Sequence, residues 1–277
     1  MTKDDESSPF PVPPGVDVNV PSAARIYDYL LGGAHSLAVD RQFGDKVLAI
    51  APGVAWAARA NREFVMRAAA ALAREGFDQW IDCGCGLPAV GAVHEVVRHI
   101  VPDARVAYAD NEAVAYAYGT MLVENLPHTI MLNGDVRHPD TWLDAPETQM
   151  LLDFDRPIVV VLAAVLHFIP DEDDPTTIMA DIRGRLPHGS RLIVSHGCMD
   201  DNESATREVQ ALYRTSNNPG LSRNLEQFTA ILTDAGYEIT DPPGVTWVTD
   251  IYPEPDDPRS PDDGPRSVCY GAVCTVP

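Results

Sequence analysis

Basic residues are scarce in this sequence. Lys and Arg together number 20 against 41 Asp and Glu, the net charge is -21, and lysine occurs only at Lys3 and Lys46. A surface this negative repels phosphate groups, so the composition disfavours nucleic acids and anionic membranes as partners. We therefore expect a small-molecule substrate, no nucleic-acid partner and no membrane partner.

Cysteines are few, and long apolar runs are missing. The five cysteines are an odd number without the spacing of a disulfide framework, which indicates a reducing compartment. The N-terminus lacks the apolar core of a signal peptide, and no stretch approaches the roughly 18 apolar residues of a membrane span. These absences predict a soluble, cytoplasmic protein.

Hydrophobic periodicity divides the chain into three regions. Residues 1–20 are rich in Pro and Ser and are predicted to form a flexible arm. Residues 21–75 are predicted to form a helical cap of three helices, which begin after Ser22, at residue 37 and at Val54. In residues 76–277, strands and helices alternate about every 25–30 residues, which is typical of a parallel sheet with right-handed crossovers.

The predicted fold is a doubly wound, mostly parallel α/β sheet of Rossmann-like type. Its strands are predicted at 77–82, 105–109, 129–132, 157–162, 190–195, 236–240 and 268–274. The helices between them are predicted at 90–101, 112–123, 175–186, 202–215 and 224–235, and a helical stretch before the fourth strand is predicted to break at Pro146. Residues 252–266, rich in Pro and Asp, are predicted to form a surface loop.

A glycine-rich turn follows the first predicted strand, at Asp82-Cys83-Gly84-Cys85-Gly86. Glycines let a backbone approach a ligand closely, and ligands of such sheets bind outside the carboxyl ends of the strands. Gly84, Gly86 and Ala89 also fit the loose dinucleotide pattern. A nucleotide-dependent oxidoreductase therefore stays open as an alternative.

Acids at three successive strand ends favour a different ligand. Asp82 would repel a pyrophosphate but suits a cationic amino-acid group, Asp110 can accept from ribose hydroxyls, and Asp135 can accept from an adenine amino group. Together they predict a site for S-adenosylmethionine, a cationic nucleoside without phosphate, and the neighbouring Asn111 and Val136 are predicted to contact it. The alternative is that Asp110 and Asp135 only form turns.

Several motifs resemble an actinobacterial family of S-adenosylmethionine-dependent methyltransferases, long catalogued as of unknown function. They lie at residues 21–33, 58–62, 82–95, 108–111 and 165–171. The resemblance implies a class I methyltransferase fold of seven strands, the last antiparallel, with an N-terminal helical lid. It gives no substrate. The sequence departs from the family pattern at Cys83 and Cys85, which should leave cofactor binding intact, and at residues 34–36, which puts the substrate in doubt.

Two groups of polar residues in the helical cap are candidates for cofactor contact: Tyr27, Asp28 and Tyr29, which precede Gly32 and Gly33, and Arg59, Asn61 and Arg62. The first group is predicted to fold over the cofactor, with Tyr27 as a catalytic candidate; the alternative is packing. In the second group, one Arg can clamp the methionine carboxylate, and Arg59 is taken as a contact. The alternative is a solvated helix face.

Histidines after two strands are candidates for proton transfer. His167 follows the fourth strand and is the predicted general base, and His196, after the fifth strand, is a second candidate. The alternative for both is a substrate-shaping or structural role. His94 and Glu95 are predicted to pack and cap a helix, and Asp171 to Asp174 are predicted to complement a helix N-terminus. No metal is predicted.

The function that these patterns predict is methyl transfer from S-adenosylmethionine to a small molecule, in secondary metabolism. Such a reaction depends mainly on alignment of the reacting atoms, so no conspicuous catalytic group is expected. The alternatives are a lyase or cyclase that uses S-adenosylmethionine, a non-catalytic sensor of it, and the oxidoreductase named above.

Overall fold

The computed structural model of the chain describes residues 16–87, 92–198, 203–214, 216, 218–240, 243–253 and 269–277. The helices there are α1 (Ala23–Leu31), α2 (Ala38–Ile50), α3 (Val54–Arg74), α4 (Val93–Arg98), α5 (Ala113–Val123), α6 (Pro146–Leu151), α7 (Pro175–Arg185), α8 (Glu203–Tyr213) and α9 (Leu225–Asp234). The strands are β1 (Gln79–Cys83), β2 (Arg105–Asp110), β3 (Thr129–Asn133), β4 (Val159–Ala163), β5 (Arg191–Gly197), β6 (Glu238–Ile239), β7 (Thr246–Trp247) and β8 (Cys269–Thr275). None of these helices is long and apolar enough to cross a membrane.

The strands form one sheet in the order β3-β2-β1-β4-β5-β8-β6, and β7 pairs with β8. Strands β1 to β5 run parallel, and β8 runs antiparallel to its neighbours. This is the predicted doubly wound, mostly parallel α/β sheet. The chain order reverses between β1 and β4, and ligands of open α/β sheets bind at such a reversal, outside the carboxyl ends of the strands.

The central strands are buried on both faces because alternate side chains enter different helical layers. Trp80 and Val161 pack on one face with α3 and α4, whereas Ile81 and Leu162 pack on the other with α7 and α9. Helix α3 thus lies directly on the sheet although it precedes the first strand. The division of the chain into an arm, a cap and an α/β domain stays a prediction.

The structure differs from the predicted elements at a few places. It adds the two-residue strand β7, whose Trp247 stacks on Tyr270 with ring centroids 4.0 Å apart, and it shortens the predicted strand at 236–240 to β6. Pro146 is the first residue of α6 rather than a break, since proline is tolerated where a helix N–H has no partner. The predicted arm up to residue 15 and the loop at 254–266 lie outside the described residues.

A buried ion pair holds the N-terminal helices together. Arg25 in α1 donates from Nε to Asp40 in α2 at 2.5 Å, and both side chains are almost fully buried. Asp40 also accepts from the backbone N–H groups of Ser22 and Leu37, at 3.0 and 2.8 Å. One carboxylate therefore fixes the start of both helices.

Replacement of Arg25 by Met should lower the free energy of unfolding by about 3–5 kcal/mol, because it leaves the Asp40 carboxylate buried without its cation. Arg59→Met on the exposed side of α3 is the control and should change stability by no more than about 0.5 kcal/mol. Urea unfolding of both variants measures the difference. A loss for Arg25→Met as small as that of the control would show that the pair does not hold the helices.

Candidate functional site

The turn after β1 forms the floor of the site. Gly84 and Gly86 have φ angles of +76° and +66°, which L-residues with a side chain rarely adopt. A Cβ on Gly84 would collide with the side chain of Val165, whereas a Cβ on Gly86 would meet nothing within 4 Å. Gly84 is therefore required for packing, and Gly86 leaves open space beside the strand ends.

Two of the three acids are buried with raised pKa values. Burial raises the pKa of Asp82 to about 6, although the charge of Arg62 acts in the opposite direction. Burial also raises the pKa of Asp110 to about 7, despite hydrogen bonds from the N–H groups of Glu112 and Gly86 at 2.9 and 2.8 Å. When either carboxyl group loses its proton, the buried carboxylate needs a nearby cation or hydrogen-bond donor to stabilise it.

Asp135 is in a different electrostatic setting. Its burial would raise the pKa, but Arg137 and Asn111 donate to its carboxylate at 2.6 and 3.1 Å, and the net pKa is lowered. Asp110 and Asp135 each accept a hydrogen bond from the backbone N–H of the residue two positions later. Both acids therefore form turns, as the alternative prediction held, and they also lie at the site.

All three acids line one cavity of about 380 Å³. This lies within the roughly 300–1,000 Å³ typical of small-molecule sites. The sheet edge forms one side, and α1, α2, α3, α8 and residues 218–222 form the rest. The structure brings together these predicted site residues there: Tyr27, Asn61, Arg62, Asp82, Gly84, Gly86, Asp110, Asn111, Asp135, Val136 and His167.

Three predicted residues do not line this cavity. Arg59 is exposed, since the stripe of α3 that faces the cavity runs through Ala58, Asn61, Arg62 and Val65 at helical spacing and leaves position 59 outside. Tyr29 points away and donates to Asp45 at 2.6 Å. Asp28 is buried and accepts from His35 N–H at 2.9 Å, so it stabilises the turn after α1.

Tyr27 lines the cavity with its hydroxyl already engaged. The hydroxyl donates to the Ala58 carbonyl at 3.0 Å and accepts from Asn61 Nδ2 at 3.0 Å. Burial raises the pKa of Tyr27 to about 12, so the side chain is a neutral phenol. This arrangement suits a wall of the cavity better than a proton acceptor.

His167 lies in the cavity, in the turn after β4. Its Nδ1 accepts from Gly197 N–H at 3.3 Å, and burial, together with the charge of Arg223, lowers its pKa to about 4. The neutral ring then carries its proton on Nε2. His167 can therefore donate a hydrogen bond, but it is a weak base near neutral pH. His196 is fully buried against Phe228 and does not line the cavity. This position agrees with the alternative of a structural role for His196.

The remaining polar candidates have structural roles. His94 bonds the hydroxyl of Tyr108 at 2.8 Å, and Glu95 accepts from Ala92 N–H, so the predicted packing and capping are confirmed. Asp174 caps α7, in agreement with the predicted charge complement. No cluster of three metal-ligating side chains occurs among the described residues.

Sequence patterns did not reveal two residues that shape the site. Buried Arg223 donates to the carbonyls of Leu166 and Ile169 at 2.9 and 2.7 Å and so holds the turn that carries His167. Glu112 accepts from Ser22 Oγ, from Ala24 N–H at 3.0 Å and from Asn218 Nδ2 at 3.0 Å. It thereby ties the start of α1 and the segment after α8 to the end of β2.

Comparison with known proteins identifies the family. The profile of the family described as S-adenosyl methyltransferase matches residues 11–277. The chain belongs to the S-adenosyl methyltransferase family. The resemblance seen in the sequence is thus confirmed, and the alternative of a nucleotide-dependent oxidoreductase is wrong. No curated protein matches the sequence.

Two solved structures resemble the methyltransferase over nearly its whole length. A DUF574 family protein from Streptomyces avermitilis is 32% identical, with a TM-score of 0.86, and the match covers 94% of this chain and 99% of that one. A candidate methyltransferase from Thermobifida fusca is 30% identical, with a TM-score of 0.85, and the match covers 95% and 97%. Both sources are actinobacteria.

The enzyme therefore depends on S-adenosylmethionine, and the sheet edge fits that group. The open turn at Gly86 leaves room beside the strand ends, and the carboxyl groups of Asp82 and Asp110 need cations or donors when they ionise. A phosphate-free nucleoside with a positive charge fits this space, and it supplies the cation and the hydroxyl donors that the two carboxylates need.

The methyltransferase should bind S-adenosylhomocysteine about tenfold more weakly at about pH 6 than at about pH 8, levelling off above about pH 7. The sign follows from Asp110, whose pKa of about 7 in the free protein must fall when its carboxylate accepts from the ligand. Calorimetry across this range measures the effect. Asp110→Asn should lose most of the pH dependence, and an affinity that rises as the pH falls would contradict the assignment.

Removal of the Glu112 carboxylate should loosen the N-terminal helix. Glu112→Ala takes away three hydrogen bonds to α1 and Asn218, and should cost about 1–3 kcal/mol. Amide exchange at residues 23–31 should speed up selectively. Glu124→Ala, at the other end of α5, is the control. Unchanged exchange at α1 in Glu112→Ala would show that this carboxylate does not hold the helix.

Proposed function

We propose that the methyltransferase acts on a small molecule that enters the same cavity as the cofactor. The observation that carries this proposal is that one cavity is lined both by the acids at the strand ends and by residues of α1, α2, α3 and α8 and residues 218–222. A pocket lined by so many elements favours an acceptor of small-molecule size. The acidic surface, with a net charge of -21, argues in addition against nucleic acid.

The cofactor roles that we propose follow from the position of each side chain. Asp110 would accept from the ribose hydroxyls, and Asp135 with Val136 would contact the adenine. Asp82 would face the amino group, and Arg62, which acts electrostatically on Asp82, would meet the carboxylate of the methionine part. Arg62 replaces Arg59 in this role because it lies on the cavity-facing stripe of α3.

Bound S-adenosylmethionine supplies an electrophilic methyl carbon, whose bond to the positively charged sulfur breaks as a nucleophile of the acceptor bonds to it. The residues of this chain contribute position. His167 would donate from Nε2 to the acceptor, and Tyr27 would shape the wall opposite. Alignment of this kind can supply about 7–11 kcal/mol of a reaction barrier.

The same cavity favours transfer over a lyase or cyclase reaction and over a sensor role. Its lining continues from the acids to apolar residues of the N-terminal helices and α8, and a cofactor-only reaction or a sensor needs no such extension. Secondary metabolism and a cytoplasmic location stay predictions.

Label transfer from methyl-labelled S-adenosylmethionine tests the function. The purified enzyme is incubated with the small-molecule fraction and, separately, with the macromolecular fraction of a bacterial extract. Label should enter the small-molecule fraction alone. Asp110→Asn should weaken cofactor binding about 10- to 100-fold, the equivalent of a lost charged hydrogen bond of about 1.5–3 kcal/mol, and reduce transfer at low cofactor concentration.

The control variant is Asp103→Asn, at an exposed position, which should behave as the native enzyme. Label in protein or nucleic acid would contradict the small-molecule proposal. Breakdown of S-adenosylmethionine without any methylated product would favour the lyase or cyclase instead.

A further inference from the structure

The cavity has two ends of different character. We call the cofactor end the part lined by Asp82, Gly86, Asp110, Glu112, Asp135 and Arg137. We call the acceptor end the part lined by Leu30, Val47, Val54, Ala57, Val209 and Tyr213. The first part comes from the edge of the sheet. The second comes from α1, α2, α3 and α8.

None of the six residues that define the acceptor end carries a formal charge. Of the described lining residues, those with a formal charge are five of the six that define the cofactor end, all but Gly86, and Arg62, which acts on Asp82. The charge of Glu112 also acts on Tyr213, but the Glu112 carboxylate already accepts hydrogen bonds from Ser22, Ala24 and Asn218. An ionised group in the acceptor end would therefore lose water without gaining a counter-ion, which is costly.

The acceptor end is walled by aliphatic and aromatic side chains. Val47 is almost fully buried, and Leu30 and Val209 are largely buried, within one apolar cluster shared by α1, α2 and α8. Tyr213 packs edge-on against Phe43 with ring centroids 5.1 Å apart, and Phe168, which also lines the cavity, lies 5.9 Å from Tyr213. Burial raises the pKa of Tyr213 to about 12, so its ring is uncharged.

The polar groups in this region are neutral and few. Tyr27 and Asn61 bond to each other, and Gln210 and Ser222 add uncharged polar side chains to the lining. Such a pocket selects by shape and apolar contact, with a few hydrogen bonds to set orientation.

We propose that the methyl acceptor is an uncharged, predominantly apolar molecule, bound in the acceptor end with its one nucleophilic group directed to the cofactor end. This inference rests on the proposed function, in that it names the class of the small molecule. It excludes sugar phosphates, amino acids, carboxylic acids and polyamines as acceptors.

Three naphthalene probes of matched shape test the proposal. With the enzyme saturated by S-adenosylhomocysteine, calorimetry compares 2-naphthol, which is neutral at pH 7, with 2-naphthoate and with 2-naphthylmethylammonium. The neutral probe should bind about tenfold or more tightly than either ion, because only the ions lose hydration without compensation. Equal or tighter binding of an ion, or no binding of any of the three, would overturn the proposal.

A negative charge introduced into the wall of the acceptor end should reverse the preference for the neutral probe over the ammonium probe. Val54 is half-buried at the first position of α3, where an acid is compatible with the helix dipole. Val54→Asp should weaken 2-naphthol about tenfold and strengthen the ammonium probe relative to it, with S-adenosylhomocysteine affinity within about twofold of the native value. Met150→Asp, at an exposed position on α6, should change none of these. An unchanged probe order in Val54→Asp would overturn the placement.

The two claims fail separately. Label found in macromolecules would overturn the proposed function even if the probes rank as expected. Conversely, label found in a small charged product would keep the function and overturn the apolar class of the acceptor.

Discussion

The rest of the site depends on two carboxyl groups that are buried at the ends of neighbouring parallel strands. Burial raises the pKa of Asp82 to about 6 and that of Asp110 to about 7, from an ordinary value of 3.8. The folded chain thus holds these protons more tightly than the unfolded chain, and their contribution to the free energy of unfolding falls as the pH rises from 3.8 towards about 7. A ligand with positive charge and hydroxyl donors offsets that cost.

The elements around these acids form the walls of one cavity. Gly84 and Gly86 carry the chain across the strand ends, and Glu112, two residues after Asp110, bonds to the start of α1 and to Asn218. One short segment, Asp110 to Glu112, therefore joins the end of β2 to the start of α1 and to Asn218.

Much of the fold could be predicted from local sequence. Apolar periodicity and glycine positions marked the helices and seven of the eight strands, because both signals are local. The same holds for Asp82, Asp110 and Asp135, since residues at the carboxyl ends of parallel strands meet at one edge. The sequence did not predict β7, which pairs with the distant strand β8 and whose Trp247 stacks on Tyr270.

The sequence did not predict which way some side chains point or which residues far away in the chain they contact. Arg59 and Arg62 look equivalent in sequence, and only the rotation of α3 against the sheet decides which of them faces the cavity. Nothing beside His167 in sequence indicates that its Nδ1 meets Gly197 N–H, 30 residues away. Glu112 and Asn218 are 106 residues apart. Such contacts depend on packing, which a single sequence does not encode in any short pattern.

The most direct test of this account is a crystal structure of the enzyme with S-adenosylhomocysteine. We predict that the Asp110 carboxylate lies within hydrogen-bond distance of both ribose hydroxyls, with the adenine beside Asp135 and the amino group on the side of Asp82. A nucleoside bound away from these three acids, or bound with its ribose facing the apolar helices, would contradict it.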